Sequence, residues 1–558
     1  MVKRVLTFMY KEVQGLHQAA YVLGLFAFGS QLLALVRDRL LAHQFGAGAE
    51  LDLYYAAFRI PDLLYVLFAS TLSVYVLIPF VSSRIRGDDA REARILLSQI
   101  FTGFVLVYTL LALVVFISAP LLAPLLFPGL QAQSHELTTV MRILLLQPLF
   151  LGISSLLGVI TQLGHRFILY AISPLLYNIG IIVGISLLYP HFGLTGLAYG
   201  VVLGAIGHML VQVPLVRSGS LAFWFTASIS WSTLAQILKM SIPRAFTLAL
   251  GQLTILALIS LASMMETGSV SVFQFAFNLQ SVPLAIIGAS YSIAAFPYLS
   301  DLYAQKKMEA FGLHVISAFR HIIFWSVPAI ALLIVLRAHV VRVVLGSGAF
   351  SWADTRLTAA VLALLSLSLL AQAINLLIVR AFYAGGHTRT PLLVSLFGSV
   401  FSVVLCIVLY YIYLHDSGLV RVVQSLLRIE DVQGSEIVVV GLGYTIAMCV
   451  QTFFLTVLAV RTFAIPMKWF LPSFARAVSA SVVGGFVAYA TLNLFVGGIN
   501  DTAFTGILIQ GALGGVMGII AVICTYYVLC SPEMKEIYAS VHTRLFKVHI
   551  IAPQEDVL

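Results

Sequence analysis

The sequence predicts an all-α polytopic membrane protein with about fourteen transmembrane helices. Three observations carry this. Hydrophobic residues make up 61% of the chain and charged ones 9%, against roughly 25% charged in an ordinary soluble domain. Mean hydropathy is +1.03. Apolar runs of about 20 residues, the length that crosses a bilayer as helix, recur from end to end. Backbone inside lipid must satisfy its own hydrogen bonds, which leaves helices or a closed barrel. Barrel strands would alternate apolar and polar residues over about ten positions, and these runs do not.

Taken in order, the predicted spans are 17–40, 53–82, 96–122, 138–162, 167–188, 194–216, 236–264, 270–299, 312–338, 356–382, 390–414, 437–460, 474–496 and 504–530. Loop charges orient them. Lys3, Arg4 and Lys11, then Arg84, Arg86, Arg91 and Arg94, then Lys306 and Lys307, Arg461 and Lys468, and finally Lys535, Arg544 and Lys547 all fall on one side if spans alternate. Both termini are therefore expected in the cytoplasm, with the first helix uncleaved. The stretch from Ala119 to Ser134 has no Lys or Arg, as an outer loop should. The longer outer loop at 415–436 carries Leu419, Val420, Val423, Leu426 and Leu427, the pattern of a short amphipathic helix on a membrane surface.

An internal repeat runs through these spans. Ala57-Phe58 matches Ala276-Phe277 at an offset of 219 residues, Pro79 has Pro297, and Gly164-His165 has Gly386-His387. The order and near-constant offset predict a six-helix lobe at 1–216, a second at 217–464, two extra helices at 465–530 and a tail at 531–558. Parallel repeats place a substrate path between the lobes.

The net charge of +9 follows from the crowded inner loops, and no basic run with interleaved aromatics points to nucleic acid. Cys406, Cys449, Cys524 and Cys530 lie in apolar segments without paired spacing, so neither disulfides nor a metal site is expected. No phosphate-binding Gly-rich loop occurs, and no nucleophile–base set is evident. A cofactor-free transporter rather than an enzyme is the expectation.

Charges inside spans are costly and are functional candidates by default. Arg37 and Arg59 are the candidate cavity residues, because a guanidinium offers paired donors to a phosphate. Arg59 precedes Pro61, which removes a backbone donor and favours a hinge. Asp38, Asp52 and Asp62 are the candidate counter-charges or coupling acids. A purely structural ion cluster between the first two spans is the competing reading. Asn278, at the repeat position of Arg59, and Arg244 are further candidate liners. Gly46 and Gly48 form the turn between the first two spans, and Pro283 is a second candidate hinge.

These residues carry a resemblance. Arg37-Asp-Arg-Leu-Leu-Ala-His-Gln-Phe-Gly-Ala-Gly with Asp52, followed by Ala57-Phe-Arg-Ile-Pro-Asp-Leu-Leu, resembles the N-terminal signature of the MviN/MurJ family of lipid II flippases. Gly158-Val-Ile-Thr-Gln-Leu-Gly-His-Arg-Phe with Pro174 and Asn178 is similar to that family's fourth and fifth helices. The resemblance implies a bacterial inner-membrane exporter of a polyprenyl-diphosphate-linked saccharide, lipid II above all, working by alternating access. It implies a cationic central cavity, with the last two helices as a groove for the lipid tail. Its partners would be the lipid-linked substrate, membrane lipids and candidate cell-wall synthesis enzymes. Some family arginines are replaced: Gln31 and Asn278 stand at two such positions, as neutral cavity liners. Another lipid-linked glycan, or a non-transporting scaffold, are the alternatives this leaves.

Overall fold

The computed structural model describes residues 16–72, 74–85, 90–164, 166–218, 221–228, 230–494 and 504–545. Lys3, Arg4, Lys11, Arg86, His165 and Lys547 lie outside this set, as do the side chains of Pro79, Arg244, Leu419 and Arg544. Every predicted span is occupied by helix, and no strand occurs among the described residues. Among the described residues, ten helices are long and apolar enough to cross a membrane, or eleven when Trp352–Leu367 and Leu369–Ala384, bent by 43°, count as one. The remaining three predicted spans are less regular. Leu16–Phe45 carries Arg37, Asp38 and Arg39 in its C-terminal part. The second span is divided into Ala49–Ala57, Arg59–Thr71 and Val74–Ser82. Leu194–Leu210 has only 17 residues. The predicted amphipathic stretch is a helix at Ser417–Leu427, with Val422 and Leu426 exposed.

The chain divides into two compact units. The first comprises Met1–Leu279, Val344–Leu365 and Thr388–Gln451. In it, the helix Leu16–Phe45 stops because Gly46 adopts φ +59°, a left-handed conformation that costs other L-residues about 1–2 kcal/mol. Gly48 follows in extended conformation and opens Ala49–Ala57. This turn interlocks with two others. The Ala349 N–H donates to the His43 carbonyl at 2.9 Å, and a Cβ on Gly268 (φ +95°) would stand 2.2 Å from the Ala47 carbonyl oxygen.

Between Phe167–Val183 and Leu194–Leu210 the backbones touch along a glycine seam. A Cβ on Gly180 would lie 2.2 Å from the Gly204 Cα, and one on Gly200 would lie 2.3 Å from the Gly184 Cα. Small residues at such seams allow the close packing on which helix association in lipid depends.

The second unit comprises Gln280–Val343, Ser366–His387 and Thr452–Leu558. Here Phe470–Leu494 packs along Phe504–Val528, where a Cβ on Gly484 would meet Val522 at 2.3 Å. Pro328, inside Met308–Leu345, has no N–H to offer the Phe324 carbonyl four residues back. The Tyr526 hydroxyl takes that carbonyl at 2.8 Å, with its ring stacked on Phe324 at 4.1 Å.

The helix Pro532–Leu545 is anchored by Glu533, which is 2% exposed. Its carboxylate accepts from Arg320 Nε at 2.7 Å, Ser473 Oγ at 2.8 Å and Ser531 Oγ at 2.6 Å. Burial alone would raise its pKa, but these hydrogen bonds and its own backbone N–H outweigh burial and hold it at about 2.

Two predictions follow from this packing. Gly200→Leu should destabilise the protein by about 1–3 kcal/mol through overpacking. Gly251→Ala, where a Cβ meets nothing within 4 Å, should be neutral or mildly stabilising in its helix. Thermal unfolding in detergent separates the two. For Glu533 the folded pKa is depressed, so its stabilisation is complete above the ordinary glutamate range and fades as pH falls toward about 2. Glu533→Gln should remove that contribution at neutral pH and flatten the acid limb of the stability profile between about pH 5 and 2.

Candidate functional site

The polar residues of the first two spans converge within the first unit. Arg37 Nε and Nη2 both donate to Asp38 Oδ1, at 2.9 and 2.8 Å. Asp38 Oδ2 accepts from Asn278 Nδ2 at 3.0 Å. The Asn278 amide oxygen accepts from Gln274 Nε2 at 2.7 Å. The Gln274 oxygen in turn accepts from Arg59 Nη2 at 3.1 Å. An unbroken hydrogen-bonded path thus joins the two candidate arginines through an acid and two amides. It extends on the other side of Arg37, whose Nη1 donates to Asn178 Oδ1 at 3.3 Å, and Asn178 donates to Ser30 Oγ at 3.2 Å.

Local helix geometry explains these placements. Gln274 and Asn278 are four residues apart on Ser269–Leu284, hence on one face. The second span breaks at Phe58, between Ala49–Ala57 and Arg59–Thr71. Arg59 Nε donates at 2.9 Å to the Tyr55 carbonyl beside that break. Asp62, one turn on, lies near Arg59, with Gln147 beside it. Asp38, Arg59 and Gln274 are buried, whereas the Arg37 side chain keeps 21% exposure.

Asp52 behaves differently from the other two acids. It is buried and, among the described residues, meets no arginine; its carboxylate accepts from the Gly268 N–H at 2.6 Å, the Ser271 N–H at 2.7 Å and Ser271 Oγ at 2.5 Å. Those donors belong to the first turn of Ser269–Leu284, where backbone N–H groups lack helical partners. Asp52 therefore caps a helix from a distant part of the chain, and the helix dipole favours an anion there.

The other predicted positions are placed as follows. Gln31 is half-buried two turns before Asp38 on the same helix. Pro61 lies three residues beyond the Phe58 break. Pro283 lies two residues before a π-type turn at Ala285–Ala289. The Arg244 side chain is among those not described. Sequence reasoning did not single out Gln274 or Gln147 as site residues. The spacing of Gln274 to Asn278 was the available signal for one; nothing in the sequence pairs Gln147 with Asp62. Tyr55 was also not singled out: its hydroxyl is buried without a hydrogen-bond partner among the described residues.

The family model described as "Lipid II flippase MurJ" matches residues 41–509. The chain belongs to the MurJ family. Among curated relatives, a probable lipid II flippase MurJ of Buchnera aphidicola subsp. Baizongia pistaciae is 25% identical over 381 residues, covering 67% of this chain and 74% of the relative. One from Thermotoga maritima is 26% identical over 394 residues, covering 70% and 78%. A solved structure described as lipid II flippase MurJ in an inward closed conformation superposes with a TM-score of 0.71 at 23% identity, covering 91% of this chain and 100% of that one. An inward-facing multidrug resistance transporter of the MATE family and MOP superfamily superposes at 0.63, with 16% identity, covering 78% and 94%. The protein is an integral bacterial membrane protein of a flippase family, with the all-α polytopic fold that its composition predicts.

Asp52→Ala should destabilise the protein by at least about 3 kcal/mol, since three hydrogen bonds to a charged acceptor are lost and each is worth roughly 1.5–3 kcal/mol. Asp52→Asn should fall between, because its amide nitrogen would face the Gly268 N–H, donor against donor. Detergent-solubilised melting curves give the ranking; equal melting temperatures for all three would contradict the capping role.

Proposed function

We propose that this chain flips lipid II, a polyprenyl-diphosphate-linked saccharide, from the cytoplasmic to the outer leaflet by alternating access. The observation that carries the proposal is the hydrogen-bonded path from Arg37 to Arg59 inside a member of the MurJ family. Two arginines held on one polar path within apolar helices supply donors suited to a diphosphate. An incoming phosphate competes with Asp38 for Arg37, and Asn278 remains to hold the displaced carboxylate. Asp38 and Asp62, each beside an arginine, are the coupling acids of this reading, while Asp52 serves by setting the helix that carries Gln274 and Asn278.

The same proposal takes the lobes as 1–216 and 217–464, the tail groove as 465–530 and the tail as 531–558. Both termini face the cytoplasm, Pro61 and Pro283 absorb the bending, and Gln31 and Arg244 line the path. No catalysis, cofactor or metal enters the cycle, nucleic acid is not a partner, and cell-wall synthesis enzymes are the neighbours to which the product passes. The neutral residues Gln31 and Asn278 favour a second reading, export of a related lipid-linked glycan whose head demands fewer cations.

Complementation tests the proposal. In a bacterium whose own lipid II flippase is switched off, the native chain should restore growth, and a well-expressed Arg37→Ala/Arg59→Ala variant should not. Lysis with the native chain, despite good membrane expression, would move the substrate to another lipid-linked glycan. Growth with the double variant would exclude this site.

A further inference from the structure

Arg142 lies on the helix Ser134–Leu144, and its surroundings are those of a lipid-facing surface. Leu113, Val114, Phe116, Ile117 and Leu121 on the neighbouring helix, and Leu146 one turn on, are all 44–72% exposed. A charge on such a surface needs a partner. Its first partner is built into the fold. Pro120, inside Arg91–Leu126, has no N–H to give the Phe116 carbonyl four residues back. Arg142 Nε donates to that carbonyl at 2.9 Å, and the guanidinium carbon sits 4.5 Å from the Phe116 ring centroid. The guanidinium is thereby fixed in place and orientation.

That arrangement uses Nε and leaves Nη1 and Nη2. Among the described residues no acid pairs with Arg142, so its charge is not balanced by them. Depth points to what balances it. The helix Arg91–Leu126 has 36 residues, about 54 Å at 1.5 Å each, around a hydrocarbon core about 30 Å thick. Phe116 is about 15 Å from the Leu126 end, which puts it about 12 Å from the midplane of a centred helix, about 3 Å inside the core boundary. The guanidinium is thus within a few ångström of the headgroup layer, at the helix end remote from Arg91 and Arg94.

We propose that Arg142, held by the Phe116 carbonyl that Pro120 leaves unbonded and by the Phe116 ring, binds the phosphodiester of an anionic phospholipid at the lipid-facing surface of these two helices. A planar guanidinium with two remaining nitrogens matches two phosphate oxygens, and the exposed Ile117, Leu121 and Leu146 accompany the acyl chains. In the orientation proposed above this lipid belongs to the outer leaflet. The site is separate from the Arg37–Arg59 path and stands whether or not that path carries lipid II.

Native mass spectrometry of the full chain released from phosphatidylglycerol-containing detergent tests this. Wild type should retain one more phosphatidylglycerol than Arg142→Gln at matched lipid, and the half-saturating lipid concentration of that adduct should be about tenfold lower. Phosphatidylcholine should not replace it, and millimolar inorganic phosphate should not displace it. Pro120→Ala restores an N–H that reclaims the Phe116 carbonyl, so this variant should lose part of the retention while keeping its melting temperature. Equal retention by wild type and Arg142→Gln would overturn the site, leaving Arg142 as a staple between helices. Displacement by inorganic phosphate would overturn the lipid assignment in favour of a free anion.

Discussion

A single buried carboxylate sets the register on which the central polar path depends. Asp52 binds the first turn of Ser269–Leu284 through Gly268 and Ser271, and that fixes which face of the helix turns toward the first two spans. Gln274 and Asn278 are three and seven residues beyond Ser271, on the same face. From there they reach Arg59 and Asp38. Asp52 and Ser271 are 219 residues apart, the offset that aligns Ala57-Phe58 with Ala276-Phe277.

The rest of the fold obeys one rule of the bilayer: polar groups that water would satisfy must be satisfied from within. Carbonyls released by prolines show it most directly. Tyr526 takes the one that Pro328 leaves at Phe324, and Arg142 takes the one that Pro120 leaves at Phe116. The acids follow it too, since Asp38, Asp52 and Glu533 are buried and each accepts at least two hydrogen bonds. Where no polar bond is available, glycine brings backbones together, as along Gly180, Gly184, Gly200 and Gly204.

The amide at position 278 acquires a physical meaning in this setting. Asn278 does not leave a gap; its amide is both donor to Asp38 and acceptor from Gln274, a dual role no arginine can fill, because a guanidinium only donates. The path between Arg37 and Arg59 exists in this form because position 278 is an amide.

The sequence by itself determined the class of protein, the spans and the positions of the intramembrane charges. Long apolar runs with few charges have one stable arrangement in lipid, and the cost of burying ions makes Arg37, Asp38, Asp52, Arg59 and Asp62 conspicuous in any reading. The turn at Gly46 was legible for a similar reason, since a glycine pair between two apolar runs marks a reversal. Partnership was not legible. Asp52 stood in the sequence beside Arg59 as a possible counter-charge, yet it caps a helix 216 to 219 residues away. Gln274 and Gln147 look like ordinary polar residues until helix packing brings them to Arg59 and Asp62. The breaks in the second span and the glycine seam likewise appear only when helices are packed. Spacing along one helix is a local property that periodicity records, whereas the pairing of faces on different helices is settled by packing, and that only the tertiary structure decided.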